Sequence, residues 1–282
     1  MKRNLFFIFA VSIILSGFII SSVCCKSIPE NSAASETTAT AQTSTTSQIN
    51  KSEEISKSSE DTTTTTKIEE TMQTKSNLPQ GEINFKTDDG ININGNIFGN
   101  FNRLVILSHM FPTDQTSWIK FAKFLNENDI SALTYDFRGY GKSGGEKDIP
   151  DTYKDLEAAL KFLNQYSLDK IYLMGASMGG TASILVASES DANGVITISA
   201  PDEFEGLSAK EAIKNLKCPK LFIASKNDTY AFESMNFFYD NSDEPKEKLA
   251  LDGKSHGTFI FDEEPENGDK IKESVITFLK SF

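Results

Sequence analysis

The chain has 282 residues and a formal net charge of −12, with three cysteines and two histidines. Because the net charge is negative and no block of Lys or Arg follows residue 3, we expect no nucleic-acid partner. Cys218 is the one cysteine beyond residue 25, which excludes an intramolecular disulfide from the rest of the chain and leaves its fold to depend on a hydrophobic core.

Residues 1–25 have the composition of an export segment. Two basic residues precede an apolar run from Leu5 to Ile20, and small residues follow it. Cys24 and Cys25 come next, so three interpretations stay open: a lipid-modified cysteine of a bacterial lipoprotein, a plain signal peptide, or an uncleaved membrane anchor. In each case we expect an exported protein, secreted or anchored at the cell surface, which contacts the membrane only through this segment.

The next segment, residues 26–80, reads as a disordered Ser/Thr-rich linker. Of the 47 residues from Asn31 to Asn77, 22 are Ser or Thr, and none is aromatic. Such a stretch cannot bury enough apolar surface to fold. We therefore expect one folded domain, residues 81–282.

Within that domain, apolar runs of strand length alternate with amphipathic runs of helix length. Strands are predicted at 83–87, 91–98, 104–108, 131–136, 171–174, 194–199, 219–224 and 248–252, and helices at 117–126, 155–166, 177–188, 209–216, 232–239 and 270–282. The turn Asp88-Asp89-Gly90 joins the first two strands as a hairpin. The pattern predicts an α/β fold, with a mostly parallel sheet, an antiparallel N-terminal hairpin and helices on both faces.

A Gly-x-Ser-x-Gly motif centred on Ser177 lies between a predicted strand and a predicted helix. A sharp turn there would present the serine hydroxyl in a strained backbone conformation, and side chains in place of the flanking glycines would collide with the strand and the helix. The new helix would also direct its free N–H groups toward charge that develops during acyl transfer. Ser177 is therefore our candidate nucleophile.

A serine hydroxyl needs a base, and only two histidines are present. His256 follows the last predicted strand and is the candidate base, whereas His109 follows an early strand. Asp228, after the strand at 219–224, is the candidate acid that orients the imidazole. Two alternatives stay open: Asp228 as a helix cap, and Asp202 as the acid.

These residues and two further motifs resemble the α/β-hydrolase superfamily over residues 81–282, in its serine esterase, dienelactone-hydrolase-like or serine-aminopeptidase-like branches. Ser108-His109-Met110-Phe111-Pro112 resembles the family's His-Gly-x-Pro loop, and the segment from Asp136 to Ser143 resembles its Asp-x-Arg-Gly-x-Gly-x-Ser turn. The resemblance implies an oxyanion hole formed by the N–H groups of Phe111 and Met178.

The same resemblance assigns supporting roles to neighbouring residues. Asp136 and Arg138 are expected to support the fold, and His109 is expected to orient the oxyanion loop. Met110 stands where the family has Gly, so its side chain could narrow the hole or change which N–H group points inward.

The combined expectation is an ester-cleaving serine hydrolase that acts on a small-molecule acyl substrate without a cofactor or a metal. Only about 18 residues, from Asp202 to Pro219, are available for a lid, so the lid should be minimal and the cleft open. A serine peptidase and a non-catalytic surface-binding module of the same fold remain as alternatives.

Overall fold

A computed structural model of the protein describes residues 77–282. The predicted signal segment, including Cys24 and Cys25, and nearly all of the predicted linker lie outside the described residues. Within residues 77–282, no helix is both long enough and apolar enough to cross a membrane.

Ten strands form along the described chain, eight of them close to the predicted positions and two, at 203–204 and 207–208, where none is predicted. They are β1 Gly81–Lys86, β2 Asn92–Phe98, β3 Arg103–Ser108, β4 Ser131–Tyr135, β5 Lys170–Ala176, β6 Gly194–Ile198, β7 Glu203–Phe204, β8 Leu207–Ser208, β9 Lys220–Ser225 and β10 Lys246–Leu251. Short β7 and β8 form a separate antiparallel hairpin. The other eight form one sheet in the order β1-β2-β4-β3-β5-β6-β9-β10.

Six α-helices of the described chain lie between or after these strands. They are α1 Ile119–Asn126, α2 Thr152–Leu163, α3 Met178–Ser188, α4 Thr229–Asp240, α5 Ile260–Glu263 and α6 Pro265–Ser281. Single 3₁₀ turns lie at Gln115–Trp118, Ala212–Asn215 and Gly257–Phe259.

The sheet is mostly parallel, as predicted. β1 pairs with β2 and β2 pairs with β4 in antiparallel fashion, whereas every pairing from β4 through β10 is parallel. Parallel strands joined by helical crossovers end at the same edge of the sheet. The loops after β3, β5, β6, β9 and β10 therefore all leave the sheet at one edge.

Each face of the sheet is covered by its own hydrophobic core. In β3, Leu104 and Ile106 face the core shared with α2, α3 and α4, whereas Val105 and Leu107 face the core shared with α1 and α6. Both faces are buried, so these strands are apolar throughout. Trp118 is fully buried in the second core.

The predicted helix at 209–216 is wrong. Ala209, Ile213 and Leu216 are buried at helical spacing, yet only a single 3₁₀ turn forms. The Ala209 N–H donates to the Asp202 carbonyl and closes the β7–β8 hairpin. Ala209 therefore lies at the base of this hairpin and not in a helix. This hairpin is the only ordered element between β6 and that turn, so the insertion is as small as expected.

Arg138 is almost completely buried and holds a turn of the chain to α2. Its Nε and Nη2 donate to Asp155 Oδ1 at 2.9 and 2.8 Å, and its backbone N–H donates to Asp155 Oδ2 at 2.8 Å. Its Nη1 donates to Asp89 Oδ2 at 3.0 Å, in the turn between β1 and β2. Arg138 therefore connects the N-terminal hairpin to the parallel part of the domain, in agreement with its predicted role as a support.

We predict that Asp155→Ala lowers the free energy of unfolding by about 3 to 5 kcal/mol, because it leaves the buried Arg138 guanidinium without its main partner. Urea denaturation measures this change. The matched control is Lys120→Ala, which removes an ion pair whose side chains are 84 and 70% exposed and should change stability by under about 1 kcal/mol. Equal losses in the two variants would contradict the prediction.

Candidate active site

Ser177 lies in a sharp turn between β5 and α3. Its φ of 47° and ψ of −120° fall in a region that residues other than glycine rarely occupy. The turn is held because the Ser177 N–H donates to the Ile198 carbonyl of β6 at 2.8 Å. A Cβ on Gly175 would overlap the Gly179 backbone, so the turn requires glycine there. The predicted sharp turn from strand to helix is therefore present in the structure, and the role of Ser177 as nucleophile stays a prediction.

His256 and Asp228 are brought together by the parallel pairing of β9 with β10. His256 Nδ1 lies 2.7 Å from Asp228 Oδ2, a distance at which Nδ1–H donates to the carboxylate. In the neutral imidazole this tautomer leaves Nε2 as an acceptor. The Asp228 side chain is 16% exposed and that of His256 is 38% exposed. The imidazole is thus oriented by a largely buried acid and remains open to water on one side.

The two alternatives for the acid are resolved by their contacts. Asp228 directly precedes α4, but its side chain makes no capping hydrogen bond and instead binds His256. Asp202 Oδ1 accepts a hydrogen bond from the Tyr230 hydroxyl at 2.8 Å, and its other oxygen lies 3.6 Å from Lys210 Nζ. Asp202 makes no contact of this kind with His256.

The loop that carries His256 packs directly against the Ser177 turn and the oxyanion loop. A Cβ on Gly257 would overlap Met110 Sδ and would lie 3.5 Å from Ala176 Cβ, immediately before the nucleophile. Thr258 Oγ1 lies 3.7 Å from Met110 Sδ. The fully buried Met110 side chain is thus turned toward the loop that carries His256 and toward the core.

Two buried polar residues form hydrogen bonds at the loop after β3, which contains Met110 and Phe111 and is called the oxyanion loop here for its predicted role. His109 Nδ1–H donates to the Met110 carbonyl at 2.9 Å, and Nε2 accepts from the Phe137 N–H at 3.1 Å, so both nitrogens are occupied. Asp136 accepts from the backbone and side chain of Gln115, each at 2.9 Å. His109 therefore holds the loop in place, in line with its predicted role, and Asp136 connects its own turn to Gln115, in line with its predicted role as a fold support.

Phe111 and Met178 occupy the two positions predicted for oxyanion donors. Met178 begins α3, and Phe111 lies in the loop after β3 and precedes a cis proline. Among the described residues, no backbone carbonyl accepts a hydrogen bond from either N–H group. Both groups are therefore free to donate to a ligand. Their role as oxyanion donors stays a prediction.

Sequence reasoning missed the groups that hold the His256 loop. Ser225 Oγ donates to the Ser255 carbonyl at 2.9 Å, and Glu264 accepts from the backbone N–H groups of Lys254 and Ser255 at 2.8 and 3.0 Å. An acidic residue before a helix is a common cap, so Glu264 carried no distinctive signal. Within residues 77–282, no group of three or more His, Cys, Asp or Glu side chains is arranged to hold a metal.

Burial of His109 has a consequence for stability. It lowers the pKa of His109 from 6.5 to about 4, and the bond to Met110 opposes only part of this effect. As the pH falls from 6.5 to 4, the unfolded chain gains a proton that the folded protein excludes. We predict that the free energy of unfolding decreases over this window by up to about 3 kcal/mol, and that His109→Gln removes this component.

Urea denaturation of wild type and His109→Gln at several pH values tests the prediction. The same dependence of the free energy of unfolding on pH in both proteins, between pH 6.5 and 4, would contradict it. Glu264→Gln provides the control. The backbone N–H of Lys254 and the other donors lower the Glu264 pKa from 4.5 to about 2, so its contribution is present above pH 4.5 and is lost only as the pH falls toward 2.

Comparison with known proteins supports an α/β-hydrolase fold for this chain. A family model described as alpha/beta hydrolase fold matches residues 103–230, a range that contains Ser177 and Asp228 and ends before His256. A polyketide transferase, grgF, from a Penicillium species is 30% identical over 125 residues, which are 41% of this chain and 42% of that protein. The chain thus aligns with about two fifths of this curated relative.

Solved structures share the architecture at low sequence identity. The Pyrococcus furiosus esterase Pf2001 superposes with a TM-score of 0.63 at 21% identity, over 72% of this chain and 91% of that one. An alpha-beta serine hydrolase homologue from Coxiella burnetii gives 0.60 at 23% identity, over 72% of this chain and 99% of that one. Since the family model spans the Ser177 turn and the sheet order continues the same pattern through β10, this chain has the α/β-hydrolase fold.

Proposed function

We propose that the protein is an exported serine hydrolase that cleaves an ester of a small or protruding acyl group through an acyl-enzyme. Ser177 is the nucleophile, His256 is the base, and Asp228 orients His256. The observation that carries the proposal is the strained Ser177 turn, at the same sheet edge as the 2.7 Å His256–Asp228 pair. Esterases among the structural relatives support the same assignment.

In the first half-reaction, Ser177 Oγ attacks the ester carbonyl carbon and gives its proton to His256 Nε2. The carbonyl oxygen becomes an oxyanion that accepts from the N–H groups of Met178 and Phe111. Asp228 stabilises the resulting imidazolium. When the C–O bond to the leaving group breaks, His256 donates its proton to the departing alkoxide, and the acyl group stays on Ser177.

In the second half-reaction, water replaces the alcohol. His256 Nε2 takes a proton from the water as its oxygen attacks the acyl carbonyl, and the second tetrahedral intermediate is held by the same two N–H groups. Its collapse breaks the bond to Ser177 Oγ, which recovers the proton from His256. The carboxylic acid leaves, and the 38% exposed His256 ring provides the approach for water.

We predict that a fluorophosphonate probe labels the wild-type protein and that Ser177→Ala abolishes both the labelling and the hydrolysis of short acyl esters. Removal of the nucleophile of such a triad lowers kcat by about 10⁶-fold. Ser188→Ala, at the opposite end of α3, is the matched control and should keep full labelling.

The outcomes separate the remaining candidates. Wild type that is not labelled, or Ser177→Ala that is labelled undiminished, would leave a binding module that retains the fold. Labelled wild type that cleaves aminoacyl amides faster than acyl esters would indicate the peptidase alternative. Faster cleavage of acyl esters than of aminoacyl amides would support a small-molecule ester substrate.

The proposal of export depends on the sequence of residues 1–25, with its basic start and apolar run. The Ser/Thr-rich segment at 26–80 would then act as a spacer between the membrane or wall and the enzyme. The intact mass of the mature protein distinguishes a lipid-modified Cys24 or Cys25, a chain cleaved without lipid, and an uncleaved anchor. Recovery of the enzyme in the cytoplasm would contradict export.

A further inference from the structure

Large exposed hydrophobic side chains are concentrated around the proposed catalytic residues. Within residues 77–282 they are Phe111, Tyr230 and Phe259, at 44, 54 and 44% exposure. Phe111 is a proposed oxyanion donor, Tyr230 follows Asp228 by two residues, and Phe259 follows His256 by three. Single exposed hydrophobic residues are ordinary on protein surfaces, but a cluster at one site indicates a binding surface.

One contact between rings, together with contacts of neighbouring residues, links these side chains. The Tyr230 hydroxyl lies 3.0 Å from the Glu203 carbonyl, beside Phe204 in the β7–β8 hairpin. The half-buried Phe204 ring packs on Phe111 with a centroid distance of 5.9 Å. Phe111 adjoins Met110, whose Sδ contacts Thr258, the residue before Phe259. We call Tyr230, Phe204, Phe111 and Phe259 the aromatic arc.

Hydrogen bonds hold the arc in place. Tyr230 is tied to the hairpin through Asp202 and Glu203, and Lys210 Nζ lies 2.8 Å from Glu203 Oε2 at the base of that hairpin. A preorganised apolar surface loses little conformational entropy on binding. The net charge of −12 also repels anionic ligands, which favours a neutral one.

We propose that the aromatic arc binds the apolar group of a neutral ester, so that the enzyme selects medium-length acyl chains or acyl rings over acetyl groups. This inference rests on the proposed function. Each methylene buried against the rings should raise kcat/KM about fourfold until the surface is covered. The small hairpin, which carries Phe204, is then a substrate-binding element.

A series of p-nitrophenyl acetate, butyrate and octanoate tests the proposal with wild type, Phe204→Ser and Phe259→Ser. We expect kcat/KM in wild type to rise at least about tenfold from acetate to octanoate. Each variant should lose at least about fivefold on octanoate and less than about twofold on acetate. The control is Phe282→Ser, which removes a half-buried ring at the C-terminal end of α6.

Wild type without a chain-length preference, or variants that lose the same factor on acetate and octanoate, would overturn the proposal. Fluorophosphonate labelling distinguishes this result from failure of the proposed function, because labelling of Ser177 does not depend on chain length. Circular dichroism of each variant shows whether the fold is retained.

A second inference concerns Glu264, at the junction of α5 and α6. Its Oε1 accepts from the N–H groups of Lys254 and Ser255, and its Oε2 accepts from Asn267 Nδ2 at 2.8 Å. Asn267 Nδ2 also donates to the Asp252 carbonyl at 3.0 Å. The backbone on the N-terminal side of His256 is therefore tied to the last helix at three points.

The geometry assigns Glu264 as the positioning residue for His256, and this too rests on the proposed function. The N–H donors lower the pKa of Glu264 to about 2, so it is an ionised acceptor at neutral pH. A base must lie within hydrogen-bond reach of its proton, so a loop that is free to shift would reduce turnover more than binding.

We expect Glu264→Ala to lower kcat at least about tenfold with KM changed less than about twofold. Glu264→Gln keeps one oxygen for the two backbone donors and should restore kcat to within about threefold of wild type. Glu266→Ala, an exposed neighbour in α6, is the control. Unchanged kcat in Glu264→Ala, or equal loss in Glu264→Ala and Glu264→Gln, would overturn the assignment, whereas labelling of Ser177 in wild type tests the proposed function separately.

Discussion

Parallel pairing of neighbouring strands is the constraint on which this site depends. Because β5, β9 and β10 run in the same direction, Ser177, Asp228 and His256 emerge at one edge of the sheet although they lie far apart in the chain. The helical crossovers put helices on both faces, and a hydrophobic core lies on each face of the sheet. The common location of these three residues thus follows from backbone pairing.

The strained backbone of Ser177 is surrounded by loops that hydrogen bonds hold in place. Ser177 holds an unfavourable backbone conformation, and the bond from its N–H to the Ile198 carbonyl prevents relaxation. On one side, His109 and Asp136 brace the oxyanion loop through buried hydrogen bonds. On the other side, Glu264 and Ser225 hold the loop of the base. The site therefore contains one buried histidine, His109, with both ring nitrogens hydrogen-bonded, and one partly exposed histidine, His256, paired with Asp228.

The insertion after β6 illustrates how little chain is needed to build a substrate surface. Six residues, 203–208, form a hairpin whose turn uses two residues at positive φ, Glu205 and Gly206. Its Phe204 reaches the oxyanion loop, and Tyr230 of α4 binds its backbone. A minimal lid can therefore join the acid side and the oxyanion side of the site without covering it.

The sequence alone determined the α/β architecture and selected Ser177 and His256 as candidate nucleophile and base, with Asp228 ahead of Asp202 as the candidate acid. Alternation of apolar runs, the Gly-x-Ser-x-Gly spacing and the scarcity of histidine are all local or compositional signals. Only the tertiary structure decided that Asp228 and not Asp202 meets His256, that Met110 turns toward Thr258, and that Glu264 secures the base loop. Met110 and Thr258 are 148 residues apart, and such contacts depend on the three-dimensional packing of elements, which no local pattern encodes.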